Sequence, residues 1–172
     1  HLEELINVCQ LWKIPVVEDA AESLGSEYKG EPTGSFGDLG VFSFNGNKII
    51  TTGGGGAVTA NKSELIEHIR YLSTQAKDDP QYYIHNEIGY NYRMTNLQAA
   101  LGLAQMEQLS KFIKCKQENY VKYKKILEGF ELAKLVDFRK GTFSNKWFYS
   151  LEIDRNKIFV SMDKIITALE ER

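Results

Sequence analysis

Apolar positions along the chain recur first with a helical period and then in short runs. Leu2, Leu5, Ile6 and Cys9 share one helical face and predict a helix over residues 2–12. Pro15 punctuates the link into a short buried strand at residues 14–18. A loop with glycines at 25, 30, 34 and 37 leads to a second strand at 39–44, and a third is expected at 55–60. A helix follows over 63–73, with Ser63 as its N-cap. Residues 75–90 read as a loop holding three tyrosines, Pro80 and His85. Asn96 opens a long helix that carries Leu97, Leu101, Ala104 and Leu109 on one face and runs, with interruptions, to about residue 127. Strands are expected at 132–136 and 147–153, and a last helix at 161–171. The order is α/β first and mixed afterwards, with no internal repeat and no low-complexity linker.

Composition narrows the class without naming a function. Hydrophobic residues make up 42% and charged residues 26% of 172, as in soluble globular proteins. The formal net charge of -2 gives no reason to expect a nucleic-acid partner. The lysines between Lys111 and Lys125 read as a solvated helix face. Cys9 and Cys115 lack metal-ligand or redox spacing, so no metal site is expected and a reduced, cytoplasmic setting is the simplest reading. No apolar stretch is long enough to cross a bilayer and no signal peptide is visible.

The chemistry concentrates at the ends of the apolar runs. Val16-Val17-Glu18-Asp19 puts an acid at a strand end, Phe42-Ser43-Phe44 puts a hydroxyl at another, and Lys48 sits just before the glycine run 53–56. Each alone has a bland explanation: a solvated lysine, a helix-capping aspartate, a tight turn. In this order they match the demands of pyridoxal phosphate. An amine can bond its aldehyde, a carboxylate can keep its ring nitrogen protonated, and a hydroxyl with backbone N–H groups can hold its phosphate. The glycine run lacks a dinucleotide fingerprint and precedes a strand, and no Gly-Lys-Ser/Thr follows it, which argues against an NAD-type or P-loop enzyme.

These stretches resemble the DegT/DnrJ/EryC1/StrS sugar aminotransferases, within the fold-type I pyridoxal-phosphate enzymes. The matching residues are Glu18-Asp19-Ala20-Ala21-Glu22, Tyr28-Lys29-Gly30, Gly34-Ser35-Phe36-Gly37-Asp38, Phe42-Ser43-Phe44 with Lys48, and Thr51-Thr52-Gly53 through Ala57-Val58. Gly89-Tyr90-Asn91-Tyr92-Arg93-Met94-Thr95-Asn96 matches as well, and Asn145-Lys146-Trp147 more faintly. The resemblance implies an α/β fold, the central part of the large cofactor domain with a mixed, mostly parallel sheet flanked by helices. Part of a small α+β C-terminal domain would follow, with residues 1–110 in the first and 111–172 in the connecting helix and the second. It also implies that the chain is an internal piece of a longer enzyme.

The resemblance assigns roles by position. Lys48 stands as the Schiff-base lysine and Asp19 as the acid paired with the ring nitrogen. Glu22 stands near the ring hydroxyl, Ser43 at the phosphate and Asn45 near the cofactor. Asn91 stands where relatives reach the phosphate of a neighbouring subunit, which implies a homodimer with shared sites. Arg93 and Tyr92 are candidates for substrate binding, beside the alternatives of a structural ion pair and a half-buried aromatic. Gly54 departs from the glutamate common in relatives. Trp147 reads either as core packing or as a border of the sugar-nucleotide site. The implied reaction moves an amino group from an amino acid, glutamate by expectation, through pyridoxamine phosphate to a nucleotide-linked keto-sugar for surface-glycan or amino-sugar synthesis. A sugar dehydratase of the same family is the nearest alternative, but those relatives replace the lysine with histidine. A non-catalytic assembly unit is the other.

Overall fold

A computed structural model describes residues 1–79 and 81–171; Pro80 of the tyrosine-rich loop and the terminal Arg172 lie outside them. The elements run α1 (Leu2–Leu11), β1 (Val17–Asp19), β2 (Glu27–Tyr28), β3 (Glu31–Pro32), β4 (Leu39–Ser43), β5 (Gly56–Ala60), α2 (Ser63–Ser73), α3 (Asn96–Met106), α4 (Leu109–Ile126), β6 (Ala133–Leu135), β7 (Thr142–Phe143), β8 (Leu151–Ile153) and α5 (Met162–Glu170). The fold is mixed α/β. In the main sheet, ordered β1-β4-β5, β1 runs parallel to β4 and β5 runs antiparallel to it.

The glycine-rich loop before β4 lies flat on this sheet. The Glu18 carboxylate accepts the N–H groups of Gly34 and, at 3.0 Å, Phe36. Thr59 on β5 donates its hydroxyl to the Gly34 carbonyl at 2.8 Å. The close approach explains why Gly40 is a glycine: a Cβ there would stand 2.1 Å from the Gly34 carbonyl oxygen and 2.6 Å from Thr59 Oγ1. Asp38 ties the loop to the start of β1, accepting the Val16 N–H at 2.9 Å, while Lys62 Nζ lies 3.5 Å away.

Several expectations need correction. The first strand begins at Val17, because the Val16 N–H goes to a side chain, and Asp19 is its last residue. Ser63 is the first helical residue of α2, and the extended Lys62 occupies the cap position without a side-chain bond. The expected strand over 147–153 shrinks to β8, and β6 is a three-residue strand paired with it. The hairpin β2–β3 was expected to be loop. It closes through Lys29 and Gly30, both left-handed at φ 53 and 86, the geometry that matches strand twist in a two-residue turn.

The long helix breaks into α3 and α4 around Gln108 (φ -104, ψ 1). Thr95 and Gln98 form a reciprocal capping box at the start of α3. Of the apolar positions on the predicted face, Leu97 is 85% accessible and Leu101 is exposed as well, whereas Leu109 is half-buried. The inward contact is made by Gly102, whose Cβ position lies 2.9 Å from Thr52 Cγ2, and by Gln105, which accepts the Thr51 N–H at 3.3 Å. A bulky apolar residue would hold the helix too far away. α4 meets the turn after β1, where Ile113 Cδ1 lies 2.5 Å from the Cβ position of Gly25.

Two predictions follow from these contacts. Gly40→Ala should destabilise the fold by about 1–3 kcal/mol, since backbone atoms oppose the new methyl group; denaturant unfolding measures it. Asp38 is held below its ordinary carboxyl value of 3.8, first by the Val16 N–H, with the Lys62 ammonium adding to the shift. A depressed folded value means that its contribution is complete above 3.8 and is lost as pH falls through the lower folded value. Asp38→Asn should therefore lower the melting temperature at pH 7, and the gap to the parent protein should close in acid.

Candidate active site

The parallel register of β1 and β4, with Asp19 opposite Val41, brings Asp19 and Ser43 to the same carboxyl edge of the sheet. In open α/β sheets this edge is where ligands bind. Asp19 is exposed, and its Oδ1 accepts the Ala21 N–H at 3.1 Å, so one carboxylate oxygen braces the turn. Buried Ala20 donates its N–H to the Val41 carbonyl at 2.9 Å and keeps the turn on the sheet. Ser43 Oγ accepts the Asn45 N–H at 3.3 Å and donates its proton to no acceptor among the described residues. Asn45 is exposed and reaches Asn47 Oδ1 at 3.4 Å.

Lys48 lies on the turn beyond β4, its N–H bonded to the Asn45 carbonyl at 3.0 Å. Two residues later Ile50 is fully buried, and buried Thr52 donates its N–H to the Phe44 carbonyl at 3.0 Å. These anchors hold the Lys48 side chain inside the fold at 14% exposure, unusual for a lysine. Its ammonium lies 3.6 Å from Glu22 Oε1 and 4.5 Å from the centroid of the Trp147 ring. The structure thus brings Lys48 and Glu22 together and adds Trp147.

The glycine turn is left-handed at Gly53 and Gly55, with φ 77 and 83. A Cβ on Gly54 would meet nothing within 4 Å, so a larger side chain has room there. The Gly54 carbonyl accepts the Thr52 hydroxyl.

Asn91, Tyr92 and Arg93 are exposed and follow the tyrosine-rich loop. Asn91 bridges to Thr74, the Tyr92 N–H bonds the Ser73 carbonyl at 3.1 Å, and Tyr90 stacks on Tyr92 at 4.9 Å. Arg93 has no ion pair and no side-chain hydrogen bond among the described residues, and no hydrogen bond joins these three to Lys48, Asp19 or Ser43. The nearest link is Met94, whose methyl carbon lies 3.4 Å from the Cβ position of Gly55. His85 bonds the Gln75 carbonyl through Nδ1 at 2.7 Å, which fixes the loop.

Asn145 is the residue that sequence reasoning missed as a structural tie. It is 3% exposed. Its side-chain amide donates to the carbonyls of Glu22 and Leu24 at 3.1 and 3.0 Å, and its backbone N–H donates to Ser26 Oγ at 2.9 Å. Its Oδ1 accepts the Trp147 N–H at 2.9 Å. Only the Asn-x-Trp spacing hints at this turn; the partners lie more than a hundred residues away. Between them, left-handed Lys146 (φ 53) carries an ammonium 3.3 Å from the Phe138 ring centroid and 3.9 Å from that of Tyr120, and burial holds it below the ordinary lysine value. Burial, followed by the bond to Asp137, pushes the Tyr120 hydroxyl up. Among the described residues no cluster suits a metal ion, and no helix is long and apolar enough to cross a membrane.

Comparison with known proteins agrees with this frame. EpsN of Bacillus subtilis (strain 168) is 41% identical over 153 residues, covering 89% of this chain and 39% of its own. The GDP-perosamine synthase of Escherichia coli O157:H7 is 41% identical over 150 residues, covering 87% and 41%. The solved structure of Helicobacter pylori PseC, an aminotransferase involved in the biosynthesis of pseudoaminic acid, superposes with TM-score 0.87 at 28% identity, covering 100% of this chain and 47% of that one. The chain spans less than half the length of these relatives. The model of the DegT/DnrJ/EryC1/StrS aminotransferase family, whose aminotransferases depend on pyridoxal phosphate, matches residues 1–172. The chain therefore belongs to the DegT/DnrJ/EryC1/StrS aminotransferase family.

Proposed function

We propose that the protein is a pyridoxal-phosphate-dependent aminotransferase that moves an amino group from an amino acid, glutamate, to a nucleotide-linked keto-sugar for surface-glycan or amino-sugar synthesis in the cytoplasm. The observation that carries this reading is the enclosed Lys48 amine, beside Glu22, on the sheet edge where β1 ends in Asp19. The names of relatives, a GDP-perosamine synthase and an aminotransferase of pseudoaminic acid biosynthesis, support the substrate class.

The donor set fits the cofactor: a sheltered amine, a carboxylate with one oxygen unused, and a hydroxyl whose proton is free among the described residues. When bound, pyridoxal phosphate supplies an aldehyde and an electron-accepting ring. Lys48 would hold it through Nζ and, once released, carry the proton between donor carbon and cofactor. Asp19 would keep a proton on the ring nitrogen. Ser43 would donate to the phosphate, with Asn45 beside it. Glu22 would face the ring hydroxyl, where it must share a proton to avoid repelling a phenolate. Tyr92 and Arg93 would contact substrate, Arg93 as a cation without an ion pair among the described residues and suited to an anionic group.

In this reading residues 1–110 are part of the cofactor domain and 111–172 the connecting helix and part of a small domain. The working enzyme is a homodimer in which Asn91 reaches the partner's phosphate. The exposed Tyr82, Tyr83, Tyr90 and Tyr92 around that motif have the composition of an interface core.

Borohydride reduction in the presence of pyridoxal phosphate should attach the cofactor to Lys48, read as a mass shift on its peptide. Lys48→Ala should abolish both the adduct and transamination while leaving the fold intact. Turnover retained by Lys48→Ala would refute the assignment. For the dimer, a mixture of Lys48→Ala and Asn91→Ala subunits should regain activity that neither has alone, because some mixed dimers hold one site with both residues. No recovery, despite demonstrated subunit exchange and impaired Asn91→Ala homodimers, would exclude a shared site of this kind.

A further inference from the structure

We infer that Trp147 is a positioning residue for Lys48: its ring holds the lysine ammonium inside the site whenever that amine is not covalently engaged. This builds on the proposed role of Lys48.

Among the described residues, Glu22 and Trp147 are the electrostatic partners of the Lys48 ammonium. Glu22 lies 3.6 Å away, but its side chain is 70% exposed, so water and salt screen that pair. The Trp147 ring has its centroid 4.5 Å from Nζ, within the range of a cation over an aromatic face. Water does not screen a ring face pressed against the cation as it screens the open carboxylate. Trp147 therefore accounts for most of the holding.

Trp147 is itself fixed by two hydrogen bonds. Its indole N–H donates to the Asn47 carbonyl at 2.5 Å, the residue just before Lys48. Its backbone N–H is bound at 2.9 Å by Asn145 Oδ1, and Asn145 is buried and bonded to the carbonyls of Glu22 and Leu24. The same turn thus sets the ring against the backbone of the lysine loop and grips the segment bearing Glu22. A packed tryptophan needs an acceptor for its indole N–H, and here that acceptor is the backbone of the lysine loop itself. This one is aligned to the loop by its N–H and meets the amine with its ring.

The geometry makes a chemical prediction that needs no cofactor. A free lysine amine swings on four rotatable bonds, and once exposed it is acylated like any surface lysine. Held under Trp147, Lys48 should react slowly with acetylating reagent relative to exposed Lys111 in the same molecule. Trp147→Leu should raise the Lys48:Lys111 labelling ratio, read by mass spectrometry on cofactor-free protein, by roughly threefold or more. Trp147→Phe keeps a ring without the N–H and should stay closer to the parent ratio. Glu22→Gln should change the ratio less than Trp147→Leu does. An unchanged ratio in a folded Trp147→Leu protein, or a larger effect from Glu22→Gln, would overturn the inference.

The unmutated protein offers a second reading if Trp147→Leu does not fold. The Lys48 ε-methylene protons should resonate upfield of ordinary lysine positions because of the indole ring current, with the signal identified by its loss in Lys48→Arg. Ordinary shifts would overturn the inference. Neither measurement involves the cofactor, and borohydride trapping at Lys48 does not require Trp147, so failure of this inference and failure of the aminotransferase reading are separate results.

Discussion

The parallel pairing of β1 with β4 is the constraint on which the rest depends. It is only three residue pairs long, Val17↔Leu39 to Asp19↔Val41. Because the strands run the same way, both end at the same edge, and the chain leaves that edge twice in tight turns. One turn is braced by the Asp19 carboxylate, the other by buried Ile50 and Thr52. A one-residue slip of either strand would invert its side chains and send Asp19 or Ser43 to the opposite face. Glu18 and Thr59 oppose that slip, since both bond the loop that crosses the sheet at Gly34. The polar clamps beside the site thus also fix the register of the sheet.

The contacts of α3 show a similar economy. Its inner contacts are made by Gly102 and Gln105, a small residue and an amide, against the Thr52 methyl and the Thr51 N–H of the lysine loop. The Thr51 N–H, which lies outside any strand, is accepted by the Gln105 side chain. Close approach and hydrogen-bond satisfaction thus join the burial of Ile50 in holding Lys48 on its turn.

This also explains what could be read in the sequence. β4 and β5, the helices and the ordered sequence Asp19, Ser43, Lys48 were legible because each is a local pattern: a run of apolar residues, a helical period, or turn chemistry at a strand end. The hairpin β2–β3 was not, because its strands are two residues long and Lys29 is an uncommon residue at a left-handed position. The inward face of α3 was not readable from periodicity, which counts hydrophobicity and cannot see that the neighbours are a threonine methyl and a backbone N–H. The tie made by Asn145 was beyond local reading, since its side chain bonds residues 121 and 123 positions away and a buried asparagine has no sequence signature.

That tie has a consequence for how the two ends of the chain cooperate. Asn145, Lys146 and Trp147 form one turn that makes three attachments. Asn145 grips the Glu22 segment, Lys146 lodges its ammonium among Tyr120 of α4 and Phe138, and Trp147 covers Lys48. α4 secures the approach to this turn as well, since Gln117 donates to the Ser144 carbonyl at 2.5 Å and Tyr120 donates to the Asp137 carboxylate at 3.2 Å. Lys146 is left-handed, a strained state for a residue with a side chain, and its aromatic contacts and the Asn145 bonds oppose relaxation. The ring over Lys48 and the side chains on α4 are thus set by the same three residues. The helix and the shelter of the lysine are therefore attached to the same turn, although they lie in parts of the chain that a linear reading treats as separate.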